Sequence, residues 1–197
     1  MILSAGEKRI MVHFKHNLTK QTGIGLVEVL IALLVFSLGM LGVASLQVVA
    51  TKSSFEAQQR QEAVLLARDI IARMKSSGLS FDDIKTKYGS MEFSEALPAP
   101  TPACKEATDN CSPILMAIWD KYEWSKSIAA AAVGYGGTGQ GLLKAKGCVT
   151  YGDKLITVTI AWESMTEMGA GGGGDCDIAG AGKKQRHVEV KTYISYI

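Results

Sequence analysis

The sequence predicts an α+β architecture: a long N-terminal helix, first membrane-spanning and then amphipathic, packed through its second half on a small C-terminal antiparallel sheet. Three observations carry this expectation. Residues 24–77 contain no proline and keep a helical pattern throughout. Residues 145–197 hold three short runs rich in β-branched and aromatic residues. Four cysteines, all beyond residue 100, suit an exported, disulfide-bonded domain. The 197 residues leave room for one membrane helix and one modest domain.

Residues 1–23 are polar and basic and read as a leader, with Lys8, Arg9, Lys15 and Lys20 against Glu7. Starts at Met1 and at Met11 both give a basic leader. No ordinary secretory signal follows, because the apolar stretch is too long and no A-x-A-like site ends it. Residues 1–23 hold four of the 21 basic and one of the 19 acidic residues, so the remainder has a net charge of −1. That balance argues against a nucleic-acid-binding protein.

In residues 24–50 only Glu28, Ser37, Ser45 and Gln47 are strongly polar, and Glu28 is the sole charge. As a helix this stretch covers ~40 Å, more than the ~30 Å hydrocarbon core of a bilayer. The basic flank keeps residues 1–23 cytoplasmic, so everything after Ala50 is translocated. A carboxylate at the centre of such a span costs ~2.5–3.5 kcal/mol and less near its edge; in either place it marks function by default. On the residues alone, a Glu28 that snorkels to the headgroups and a Glu28 that serves assembly fit equally well. Gly39 and Gly42 are read as packing or softening points, since their spacing is not GxxxG.

The helix is expected to continue to Ser77, ~80 Å in all. Ala63, Leu66, Ala67, Ile70, Ile71 and Met74 form its buried stripe. Glu56–Arg60 and Asp69–Arg73 stand at i, i+4 with the acid first, the favourable order for a pair. Lys75 suits the last turn and Gly78 the C-cap. Residues 79–112 are expected to be irregular, given Pro98, Pro100 and Pro102. Ser112 and Pro113 then open a second helix, with Leu115, Ile118, Trp119, Tyr122 and Ile128 inward and Gly134 at its end. Gly134, Gly136 and Gly139 spell GxGxxG, but a helix precedes and a strand follows, so the segment reads as a flexible connector.

Strands are expected at 145–151, 155–163 and 185–197. Gly152-Asp153 suits a type II′ turn. Ile156, Val158, Ile160 and Trp162 share one face, with Thr157, Thr159 and Glu163 on the other. Val188, Val190, Ile194 and Tyr196 share a face of the last strand. A glycine-rich loop, 168–182, lies before it. Cys104, Cys111, Cys148 and Cys176 read as two disulfides with three possible connectivities; the short separation favours Cys104–Cys111, which leaves Cys148–Cys176. A zinc site is disfavoured because no CxxC pair occurs.

No catalytic constellation, metal site or cofactor motif emerges, so no enzyme is expected. His187 is the one histidine beyond the leader and lies on a polar strand face. HExxH, GxSxG and P-loop patterns do not occur. Asp175 and Asp177 flank Cys176 without the further oxygen ligands that calcium needs. Asp82 and Asp83 read as a solvated face.

Gly23, then a long apolar run with Glu28 as its fifth residue, resembles the class III signal of type IV prepilins and type II secretion pseudopilins. Within that family the chain is most similar to PilV-type minor pilins. The matching features are AVLLARDIIARMKSSG with Arg73-Met74, then Asp120 and Trp124, the glycine-rich connector, VTIAWES and HVEVKTYIS. AAVGYGGTG stands where LPxGxG is usual, and Ile24-Gly25 where most members have Phe or Met and then Thr or Ser. The resemblance implies the type IV pilin fold, with a leader (1–23), a transmembrane and assembly segment (24–50) and a periplasmic pilin domain (51–197). It implies cleavage after Gly23 by a prepilin peptidase and N-methylation of Ile24, with Glu28 setting register between subunits. It further implies an inner-membrane protein that joins a pilus, with other minor pilins, the major pilin and a tip adhesin as partners, in twitching motility and adhesion. The nearest alternative is a minor pseudopilin of a type II secretion system; one of a different class is an unprocessed, signal-anchored periplasmic binding domain.

Overall fold

The structure is a computed structural model that describes residues 23–105, 109–132, 141–167 and 176–194. The leader with Met11, the connector residues Gly134, Gly136 and Gly139, Asp175 and Tyr196 lie outside the described residues. Two compact units divide the chain, Met1–Gln47 and Val48–Ile197. Helix α1, Leu26–Ser76, contributes to both.

In the first unit α1 is apolar all round, and its side chains are exposed. It is long and apolar enough to cross a membrane. In the second unit α1 becomes amphipathic and buries Ala63, Ala67, Ile70, Ile71 and Met74, with Leu66 half-buried beside them. Arg73 and Lys75 occupy its last turn, where cations suit the helix C-terminus. Gly78 follows at φ +66°, the left-handed conformation that closes helices at low cost for glycine.

Residues 79–112 are not irregular throughout, contrary to the proline-based expectation. Helix α2 spans Phe81–Tyr88 and strand β1 spans Met91–Phe93. The Ser80 hydroxyl accepts the Asp83 N–H at 3.2 Å and donates to the Asp83 carboxylate at 2.7 Å, a reciprocal cap at the helix start. Asp83 also pairs with Lys87, and the Ser80 hydroxyl and Lys87 together hold its carboxyl below its usual range. Lys121 donates to the carbonyls of Lys87 and Tyr88 at the other end. The influence of the prolines is confined to the chain beyond Phe93.

Helix α3, Pro113–Ala131, opens as expected, with Ser112 accepting the Leu115 N–H and Pro113 in the first turn. Its buried stripe is rotated from the expected one. Ala117, Trp119, Asp120, Trp124, Ile128 and Ala131 face inward, whereas Ile118 is exposed and Leu115 and Tyr122 are half-buried. The helix ends at Ala131, before the expected Gly134.

Strands β2 (Leu143–Tyr151), β3 (Leu155–Glu163) and β4 (Gln185–Tyr193) complete an antiparallel sheet in the order β1-β2-β3-β4. The β2–β3 turn departs from type II′. Tyr151 pairs with Ile156 and the Gly152 N–H donates to the Leu155 carbonyl, so Asp153-Lys154 form the centre, with Lys154 at φ +57°. Among the described residues strand β4 ends at Tyr193, with Ile194 buried just beyond it; residues 195–197 of the expected strand lie outside the described residues.

Ile156, Val158, Ile160 and Trp162 share one core with the stripe of α1 and with Trp124 and Ile128 of α3. A Cβ on Gly147 of β2 would stand 2.2 Å from Ile128 and 2.9 Å from Trp124, so α3 covers the sheet at a point where only glycine fits. The opposite face of β2 and β3 is covered as well, by Cys176 and Ile178 over Cys148 and Ala161. Thr159, expected on a polar face, is therefore buried. Both disulfides form in the favoured pairing, Cys104–Cys111 and Cys148–Cys176.

Candidate functional site

Gly23 and Ile24 precede the helix and are exposed; Ile24 is 77% accessible. The Gly25 carbonyl accepts the N–H groups of Glu28 at 3.0 Å and Val29 at 3.3 Å and starts α1. Glu28 thus sits in the first turn, where the helix N-terminus favours an anion. With Ile24, Val29, Ala32, Leu33 and Phe36 it lines a shallow concavity whose other walls are apolar. Ser37 and Ser45 turn their hydroxyls back onto the carbonyls of Leu34 and Gly42, so they present little polarity outward. A Cβ on Gly39 or Gly42 would meet nothing within 4 Å among the described residues.

The second unit gathers Arg73, Tyr88 and Asp120, three polar residues from three helices. Asp120 is 7% exposed and accepts the Tyr88 hydroxyl at 2.6 Å and the Arg73 guanidinium at 3.2 Å; Arg73 also binds Asp69 at 3.0 Å. Burial lowers the pKa of Arg73, but its two carboxylate partners more than offset this and raise it. Trp124 donates its indole N–H to the Leu66 carbonyl at 2.9 Å. Asp120, Trp124 and Arg73, the helix residues that carry the resemblance, therefore tie α1, α2 and α3 together. Tyr88 joins them unforeseen; the Ser80–Asp83 cap was the signal that could have revealed its helix.

Burial, then Asp120, pushes the Tyr88 hydroxyl above its ordinary range, and burial does the same to Tyr151. Below pH ~10 both are protonated whether the chain is folded or not, and their contribution to stability is intact. Above that pH the unfolded chain ionises first and stability falls. Chemical denaturation across this range is expected to show a midpoint that drops only above pH ~10, with a smaller drop for Tyr151→Phe. The Tyr151 hydroxyl is buried without a partner among the described residues. Tyr151→Phe is accordingly expected to add ~1 kcal/mol of stability at neutral pH.

The expected Asp69–Arg73 pair forms, whereas Glu56–Arg60 does not. Glu56 turns to the sheet, where it accepts hydrogen bonds from Thr166 and from Ser164 (3.3 Å), with Arg186 4.0 Å away. His187 is exposed on β4. Among the described residues no group of three or more His, Cys, Asp or Glu is placed to hold a metal ion. Comparison with known proteins returned no match: no family model fits the chain, and no curated protein or solved structure is significantly similar to it.

Proposed function

We propose that this chain is a minor pilin of a type IV pilus, a non-enzymatic subunit inserted in the inner membrane and later taken into the priming complex at the tip of a filament. The supporting observation is the arrangement of residues 23–50. A glycine precedes the helix, a glutamate stands fifth after it, and an apolar surface follows that is left exposed among the described residues. Such a surface requires lipid or other helices around it. The basic leader sets residues 1–23 in the cytoplasm and the α+β domain in the periplasm, a compartment suited to two disulfides.

A prepilin peptidase hydrolyses the Gly23–Ile24 peptide bond and methylates the new α-amino group. That amine is largely cationic at neutral pH. When a subunit leaves the bilayer, Glu28 of one chain neutralises the amine of its neighbour. Burying either ion unpaired costs several kcal/mol, so the pair fixes axial register between helices that are otherwise uniformly apolar. Partners in this scheme are other minor pilins, the major pilin and a tip adhesin, and its output is twitching motility and adhesion.

Glu28→Ala is expected to be cut and exported normally yet to be lost from complexes isolated with the other minor pilins, with piliation reduced. Unchanged piliation would remove Glu28 from the scheme. Deleting the gene and scoring both surface pili and secreted enzymes separates this reading from a type II secretion pseudopilin, whose loss lowers secretion alone.

A further inference from the structure

A cleft of about 420 Å³ lies between the second half of α1 and the end of the sheet, lined by Ser53, Glu56, Arg60, Trp162, Ser164 and Arg186 among others. That volume suits a side chain or a short peptide segment. The direction in which Glu56 turns sets the charge pattern of the cleft. Helical spacing offers Glu56 to Arg60. Glu56 is instead held by the hydroxyls of Ser164 and Thr166 and by Arg186, whose guanidinium also donates to the Thr166 carbonyl at 3.3 Å. The Glu56 charge is compensated from the sheet side. Arg60 is left exposed, with no hydrogen bond or ion pair among the described residues.

We infer that this cleft docks a carboxylate-bearing segment of another polypeptide, anchored by Arg60. The planar guanidinium fork matches a carboxylate in two parallel hydrogen bonds. Ser53, exposed on the same rim, adds a hydroxyl donor. Trp162, 4% exposed, gives the cleft a rigid apolar wall against which a side-chain stem packs. Charge complementarity selects the occupant: once Glu56 and Arg186 neutralise each other, the cleft keeps one positive charge. An anionic lipid surface would call for clusters of about 4–8 Lys and Arg, and the cleft has two arginines, one of them already paired. The inference stands on the second unit alone and holds whether or not residues 23–50 serve a pilus.

The test is calorimetric titration of the full-length chain in detergent micelles with an oligo-glutamate peptide, with oligo-glutamine as the uncharged control. Saturable binding of oligo-glutamate alone is expected, about tenfold weaker or more in Arg60→Ala. Arg60→Lys keeps the charge without the fork and should lose less. Ser53→Asp, which adds a negative charge at the same rim, should also weaken binding. Thermal melting should be unchanged in all three, because Arg60 and Ser53 are exposed. No saturable binding, equal binding to oligo-glutamine, or wild-type affinity in Arg60→Ala overturns the inference. So does an equal loss by Arg60→Ala of binding to phosphatidylglycerol vesicles, which would make the anion a lipid headgroup.

Discussion

A chain carrying Gly23→Val is expected to accumulate in the membrane at the mass of its uncut precursor, with no mature form detectable. Among the described residues nothing crowds this position. Gly23 is exposed, and among the described residues a Cβ built on it meets nothing within 4 Å. Valine should therefore leave the α+β domain folded, with both disulfides formed. Any loss must then arise where another molecule reads the residue, and a protease that admits the chain through a tight backbone channel is such a reader. Normal processing of Gly23→Val would separate Gly23 from the leader reading. A variant that failed to form its disulfides would show that the substitution acts through folding instead. Immunoblotting of membranes beside the wild type, with and without reductant, distinguishes these results.

Trp124→Ala should be the most damaging single change in the folded domain. Trp124 is fully buried, lies edge-on to Phe93 at 5.9 Å, fills the space that Gly147 leaves open, and donates its indole N–H to α1. Removing so large a buried side chain costs ~3–5 kcal/mol, against a total domain stability of ~5–15 kcal/mol. The melting temperature should fall by ~6–20 °C. Trp124→Phe keeps much of the volume and loses the hydrogen bond to Leu66, so its loss should be smaller. Circular dichroism of the full chain in detergent reads both. Equal stability of wild type and Trp124→Ala would mean that the α1–α3–sheet core is not what holds the domain together.

The long helix, the strands at 155–163 and the disulfide pairing were legible because each rests on a local pattern. A run without proline, a strict alternation and a short cysteine separation need no tertiary knowledge. Helix α2 was hidden because eight residues are too few to show a period, and the prolines beyond it dominated the reading of the segment. Its cap, Ser80 with Asp83, was present in the sequence. The stripe of α3 was misplaced for another reason. Its buried face includes Asp120, Ser125, Ala117 and Ala131, which hydrophobicity does not mark, while Ile114 and Ile118 face outward. Asp120 is inside because Arg73 and Tyr88 meet it there. The Glu56–Arg60 pair failed for a similar reason: a helical ion pair contributes only ~0.2–0.5 kcal/mol and yields to several partners offered by the sheet. Gly23 and Glu28 were singled out through the resemblance to a prepilin signal, and both are exposed. The Arg60 cleft could not be singled out from sequence, since Ser164 and Arg186 lie more than 100 residues from it in the chain.

Mass spectrometry of the N-terminal peptide from protein isolated from its native membrane bears most directly on the pilin reading. The expected species begins at Ile24 and is heavier than the unmodified sequence by one methyl group on the α-nitrogen. An intact leader, or a mature chain that begins anywhere other than Ile24, would contradict it.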